Sequence, residues 1–462
     1  MMAIRLTLIL LLTVTVIMGQ EPDHHLAEVH SLKDFFLKGQ VNGHMRNSLM
    51  ATVNEGELLD YWANASGGSI GYHTAEWKGF QLGVKGIFTY NTFSADLNRI
   101  DPLTGKSAKW EKELFDVTRP NEKHDLDRLE ELYIKYHFRN SWLRYGKVDI
   151  DQGPLLLKRD GRMKPFVYRG FWAEVNEIKK TKLYAGWIHG VSPRGMTEWY
   201  SLNEAIGLNN NGFQPNGEKA DYHEVANTKG LGVLGVQTKL GKKGKLTFWN
   251  YYLHRLYNTN WLQYDYKGQH WFGGVQYVFQ FSDPYQKSLE YTNRYYQPDE
   301  YGHVVSAQVG YQFPKKNVAL SAAYLHGFDQ GRFLFPRELT RENFYVSQPR
   351  SWIDGYGQVD VGMVRAKITP QAEAWKGFSF DVRFERVQAP DITDYAQNKY
   401  GASAYFQSTF IMRYDFQKKL EGLHLMLLYV AKQSEEELEL SANQRFYKTN
   451  LHHLNLIINI TF

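Results

Sequence analysis

From Phe35 onward the chain alternates: Phe35, Leu37, Gly39, Val41, Gly43 and Met45 are apolar or small, whereas Lys38, Gln40, Asn42, His44 and Arg46 are polar. Period two over this length predicts a strand with one apolar and one wet face. The device recurs where Phe80, Leu82, Val84, Phe88 and Tyr90 oppose Gln81, Lys85 and Thr89, and where Leu132, Ile134, Tyr136 and Phe138 oppose Lys135, His137 and Arg139. It returns with Val305, Val309, Tyr311 and Phe313 against Ser306, Gln308 and Gln312, and with Phe378, Phe380, Val382 and Phe384 against Ser379, Asp381, Arg383 and Glu385. The last segment is the clearest: Leu454, Leu456, Ile458, Ile460 and Phe462 share one face, and His453, Asn455, Asn459 and Thr461 the other.

The connectors alternate in length. Short ones fall at 77–79, 140, 179–181, 241–244, 267–269, 314–316, 370–373 and 417–421. Long ones fall at 47–65, 91–130, 148–170, 191–229, 283–301, 327–356, 389–401 and 433–449, with one tight turn near Asn258. Such a series joins about eighteen strands, an even number as in bacterial single-chain barrels, with roughly sixteen as the alternative count. A soluble β-sandwich or propeller also alternates, but it does not need long strands joined in turn by short and long connectors. Terminal Phe462 and the Tyr, Trp and Phe near strand ends suit interfacial girdles. The expected fold is therefore all-β: a transmembrane antiparallel β-barrel of about 18 strands, with short periplasmic turns and long extracellular loops.

Composition sharpens this picture. The 462 residues include no cysteine, which excludes a disulfide scaffold, a catalytic thiol and thiolate metal sites. There are 27 Phe, 31 Tyr and 12 Trp in a chain whose mean hydropathy is −0.49, so rings occur without aliphatic bulk, as in strands and interfaces. A net charge of +5 with acids interspersed gives no case for nucleic acid. At the start, Arg5 precedes a run from Leu6 to Met18 that is apolar apart from threonines and too short to span a membrane. It reads as a signal peptide over 1–19, leaving 20–462 as a single barrel in the bacterial envelope.

The segment from Tyr145 through Gly146 to Gly170 resembles the OprD family of substrate-specific outer-membrane porins. There a strand ends in glycine and enters a lumenal loop carrying a proline, an Asn-Asp-x-Arg element, then a proline and an aromatic before glycine. Pro154, Asp160, Arg162, Pro165, Tyr168 and Gly170 occupy those places, whereas Arg159 stands where asparagine is usual and Phe166 where glutamine is. Val191-Ser192-Pro193-Arg194 is similar to the family's Asn-Ser-Pro-Arg, and Lys38-Gly39 through Arg46, Gly68 to Thr74 and Gly79-Phe80 are similar to its start. The likeness covers most of the first half and the end, and thins between about 240 and 400. It implies an eighteen-strand barrel in the outer membrane of a Gram-negative bacterium, an eyelet of inward-folded loops, and a basic ladder along one wall. Small solutes, usually bearing a carboxylate, pass through such channels.

The residues carry their own case for that chemistry. Lys38, Arg46, Lys85, Lys135, Arg139, Arg144, Arg383 and Arg413 lie on the polar faces of the expected strands. A charge on the lipid face costs ~2–4 kcal/mol at mid-depth, so these side chains are expected to point inward. There they either solvate a wet lumen, pairing with Asp381, Glu385 or Asp415, or form a ladder that lowers the barrier to anions. Arginine suits the ladder because its planar fork binds carboxylate at two points and keeps its proton. Lys158, Arg159, Arg162 and Lys164 put four more charges into seven residues of the candidate pore-constricting loop 148–170, with Asp160 among them. A solvated surface loop is the bland alternative.

Apparent enzyme motifs fail on context. Gly230, Gly232 and Gly235 satisfy GxGxxG but lead into strand residues rather than a helix. Asp149 to Gly153 lacks a third acidic position and a distant glutamate for calcium. His24, His25, His30, His452 and His453 have no partner at metal-ligand spacing. The expected protein is thus a porin without cofactor or reaction, passing small carboxylate-bearing or otherwise anionic solutes. An outer-membrane barrel hydrolase and a hydrophobic-substrate channel are the alternatives. Its expected partners are outer-membrane lipids, small solutes and the barrel-assembly machinery; a monomer and a weak homotrimer both fit.

Overall fold

The computed structural model describes residues 29–124, 126–158, 161–435 and 440–462. The expected signal peptide, His24 and His25 lie outside them, as do Arg159, Asp160 and most of the acidic run after Glu435. The first strands are β1 (Gln40–Asn54), β2 (Tyr61–His73), β3 (Phe80–Ser94), β4 (Leu126–Phe138), β5 (Ser141–Val148), β6 (Val167–Val175) and β7 (Thr181–Ser192). A two-residue strand β8 (Tyr200–Ser201) follows, then β9 (Leu231–Leu240), β10 (Gly244–Leu253), β11 (Tyr257–Lys267), β12 (Trp271–Ser282) and β13 (Tyr301–Phe313). The series ends with β14 (Val318–Gly327), β15 (Asp360–Ile368), β16 (Phe378–Gln388), β17 (Tyr405–Asp415), β18 (Leu423–Ser434) and β19 (Leu451–Thr461).

Each long strand pairs antiparallel with its sequence neighbour, β7 pairs directly with β9, and β19 returns to β1 in the register His44↔Thr461 to Asn54↔Leu451. Eighteen strands therefore close, and β8 is an addition on β7. Closure leaves no open edge, which in lipid would strand backbone groups at several kcal/mol each. The seam ends with Gly43 N–H donating to the Phe462 carbonyl at 2.9 Å and Phe462 N–H donating back at 3.1 Å.

Three expectations need correction. The stretch 47–65 is not a loop: β1 and β2 run through it and the connector is only 55–60. Its polar residues misled because Ser48, Thr52 and Asn54 form a wet inward face, buried by inserted loops, while Val53 and Trp62 are exposed outside. Phe35 does not open a strand but lies in the helix Leu32–Leu37, because the Ser31 hydroxyl accepts from Asp34 N–H (3.1 Å) and caps it. The tight turn expected near Asn258 falls a few residues earlier, at 254–256, with Leu256 N–H donating to Leu253 O (2.9 Å).

The lumen is filled at the end that carries the long loops. Loop 149–166 reaches from β10, where the Tyr251 hydroxyl accepts from Leu155 N–H (3.4 Å), to the opposite wall, where Met163 joins Ala63, Ala65 and Met50 in a buried cluster. The small inward residues of β2 make this crossing possible: a Cβ on Gly67 would lie 2.2 Å from Phe88 O and 3.1 Å from Met163. Loop 328–359 enters as well, stacking Phe344 on Trp261 of β11 with ring centroids 4.5 Å apart. Each such buried apolar side chain contributes about 1.5–3 kcal/mol, so a handful holds a loop inside the barrel.

Candidate functional site

The inserted loops meet the wall formed by β16–β19 around a passage of about 350 Å³, lined by Arg162, Arg194, Arg341, Arg350 and Arg383 among others. Glu113, from the loop after β3, organises one side. Arg162 donates to its carboxylate through Nε at 2.9 Å, its Nη2 forms an ion pair with the same oxygen at 2.9 Å, and Arg194 Nη2 stands at 3.2 Å. Burial alone would raise the Glu113 carboxyl, but Arg162 and Arg194, with Arg350 and Arg341 behind them, hold it down at about 2. Arg46 of β1 fixes the loop from below, its Nη1 donating to Arg162 O (2.7 Å) and its Nε to Asn459 Oδ1 (3.2 Å).

The remaining guanidiniums are placed by rings and backbone. Arg341 lies 4.1 Å over Trp352, and Arg350 lies 4.2 Å over Trp110 while its Nη2 contacts His453 Nε2. Arg383 of β16 bonds Asp381 (2.8 Å) and donates to Ser347 O (3.2 Å), tying the wall to loop 328–359. Arg365 of β15 grips the same Asp381, and Lys367 and Arg413 continue the inward face towards the end with short turns. Guanidiniums outnumber carboxylates along this path: Glu113 and Asp381 are each shared between two arginines, and Glu342 adds a further carboxylate to the lining.

Of the residues singled out from sequence, Arg46, Arg162 and Arg383 meet at or beside the passage, and Arg413 extends the row. Lys85, Lys135 and Arg144 point inward on a different wall, where Lys85 pairs with Glu130 (3.2 Å), Lys135 covers Trp142 (4.8 Å) and Arg144 pairs with Asp149 (3.3 Å). Lys158 joins that wall through Asp149 (3.7 Å). Lys164 is buried away from the passage; its Nζ has no hydrogen-bond partner among the described residues, and burial pushes it down to about 7. Two expectations of strand placement are corrected. Lys38 caps the helix before β1 and pairs with Asp34 (3.2 Å), and Arg139 occupies the β4–β5 turn at φ 53°. Both lie where the short turns are, so the inward-facing argument does not reach them. Patterning did not single out Arg194, Arg341, Arg350, Arg365 or Lys367. Four arginines within twenty residues of one long loop, Arg332, Arg337, Arg341 and Arg350, were a readable signal, as was the alternation of Arg365 and Lys367.

A closed barrel whose long loops fold inward and narrow the lumen to a charged passage is a channel of the porin type. The family profile described as outer membrane porin, OprD family, matches residues 73–346, and the chain belongs to that family. The match crosses the region after 240 where the motif likeness thins. Among solved structures, OccK9 (OpdG) of Pseudomonas aeruginosa is similar with a TM-score of 0.70 at 14% identity, over 93% of this chain and 100% of that one. OccAB2 of Acinetobacter baumannii has a TM-score of 0.70 at 17% identity, over 93% of this chain and 99% of its own. OpdK of P. aeruginosa, solved with vanillate, has a TM-score of 0.65 at 16% identity, over 93% and 99%. No curated protein matches the chain in sequence.

Proposed function

We propose that this porin gives passive, selective passage to small solutes bearing a carboxylate or another compact anionic group. The observation that carries this reading is the convergence of five arginines, from three loops and one strand, on a single 350 Å³ passage. A carboxylate entering it exchanges water for planar guanidinium forks, and the row Arg383, Arg365, Lys367 and Arg413 offers further partners on the way out. Conduction requires weak binding at several sites rather than tight binding at one. Glu113 and Asp381 supply that weakening, since each already occupies two arginines. The vanillate of the OpdK structure, an aromatic carboxylate, supports the same class of solute. The test is uptake into liposomes containing the purified protein, comparing benzoate with benzamide, which has nearly the same shape. Benzoate should enter several-fold faster; equal rates would overturn the proposal.

A further inference from the structure

The outer face carries a feature that solute passage does not use. Lys147 of β5 and Arg169 of β6 are directly opposite in the strand register, at the loop end of this pair. Their chain neighbours Val148 and Tyr168 are wholly buried on the inner side, and Leu132, directly across from Lys147 on β4, is 52% exposed outside. Lys147 and Arg169 therefore both face outward. One outward position lower, Tyr145 (53% exposed) and Phe171 (37%) stand opposite each other in the register, exposed aromatic side chains of the kind found at a membrane interface.

Two like charges directly opposite on one sheet face repel, and neither has an ion pair or hydrogen-bonded partner among the described residues. Arg169 Nε is buried without an acceptor, against Gly190, where a Cβ would lie only 2.9 Å from it. The lysine ammonium lies 4.7 Å over the Trp199 ring, and Trp199 is itself fixed by donating to Leu129 O (3.1 Å). Glu204 is within electrostatic reach of Arg169, but its carboxylate accepts from Ser201 N–H (2.7 Å) and caps its own helix. By contrast, the outward-facing Arg386 of β16 is neutralised by Glu435 at 2.6 Å.

We infer that Lys147 and Arg169, with Trp199 beside them, form a binding site for the phosphate of an outer-leaflet lipid headgroup. A phosphate supplies the missing counter-charge and can accept from both side chains, while its acyl chains run down over Tyr145 and Phe171. The probe is diphosphorylated lipid A, titrated against the purified barrel in detergent and read by native mass spectrometry. K147Q/R169Q should weaken its binding by about tenfold or more, and R386Q should leave it unchanged. Unchanged affinity in the double variant would overturn the inference. So would equal binding of lipid A stripped of phosphate, full competition by inorganic phosphate alone, or a change in oligomeric mass as the only effect, which would assign the patch to a second copy of the chain. Heat-modifiable mobility of both variants checks that the barrel is intact, and the single variants K147Q and R169Q should each show an intermediate loss.

Discussion

Replacing Arg162 by Gln removes one guanidinium from the passage and releases half of the clamp on Glu113. The side chain is 3% exposed, donates one hydrogen bond to Glu113 from Nε at 2.9 Å and holds its Nη2 at 2.9 Å from the same carboxylate. A carboxylate about 4 Å from this charge gains ~4 kcal/mol at an effective dielectric near 20. Dehydrating the solute cancels most of that, leaving a net of about 1 kcal/mol, or roughly fivefold in permeability. The substitution also leaves Arg194, at 3.2 Å, as the remaining ion pair of Glu113 among the described residues, so more negative charge faces the solute. Both effects have the same sign, and anion-over-cation permeability should fall at least about fivefold. The assay is the reversal potential across a planar bilayer near ~0.1 M salt, where the Debye length is about 10 Å and the fixed charge is not screened out. Lys242→Gln, in the exposed β9–β10 turn, is the control and should change nothing. An unaltered ratio in the Arg162 variant would refute the reasoning.

Three further outcomes follow from the same contacts. Because Glu113 is held at about 2 against an ordinary 4.5, its contribution to docking the 95–125 loop is complete above pH 4.5 and is lost as the pH falls through about 2. Proteolysis of that loop should stay flat from pH 7 to 4.5, and an increase already at pH 5 would contradict the ion pair. Lys164→Met should stabilise the protein, more at pH 6 than at pH 9, since the buried amine is lowered to about 7 and its charged form has no hydrogen-bond partner among the described residues. Equal melting-temperature gains at the two pH values would argue against a buried charge. Deleting Phe462 removes both backbone bonds to Gly43 and should reduce heat-modifiable barrel in membranes far more than deleting Glu435 to Glu437; equal yields would count against the closed seam.

The strand count and all eight short turns were legible because an apolar outer face is forced by lipid and the turns are too short to hide their breaks. The 47–65 error shows the limit of that reading. A wet inner face can hold Ser, Thr and Asn without apolar alternation, and only inserted loops bury them. The site was legible in part for the same reason: Arg383 and Arg413 sit on periodic strands, whereas Arg194, Arg341 and Arg350 are delivered by loops whose path depends on contacts distant in sequence, such as Phe344 on Trp261 for the loop that carries Arg341 and Arg350. Lys164 has the charge and the position in sequence of an eyelet residue, yet its side chain turns into the protein, which no local pattern records.

In this reading the arginine-lined passage sets the preference of the channel, and that dependence is open to measurement. It is tested most directly by the zero-current potential of the unaltered protein in a planar bilayer under a tenfold KCl gradient. The potential should have the sign given by chloride passing more readily than potassium, with a magnitude that shrinks as both salt concentrations are raised. A cation-selective potential would contradict it.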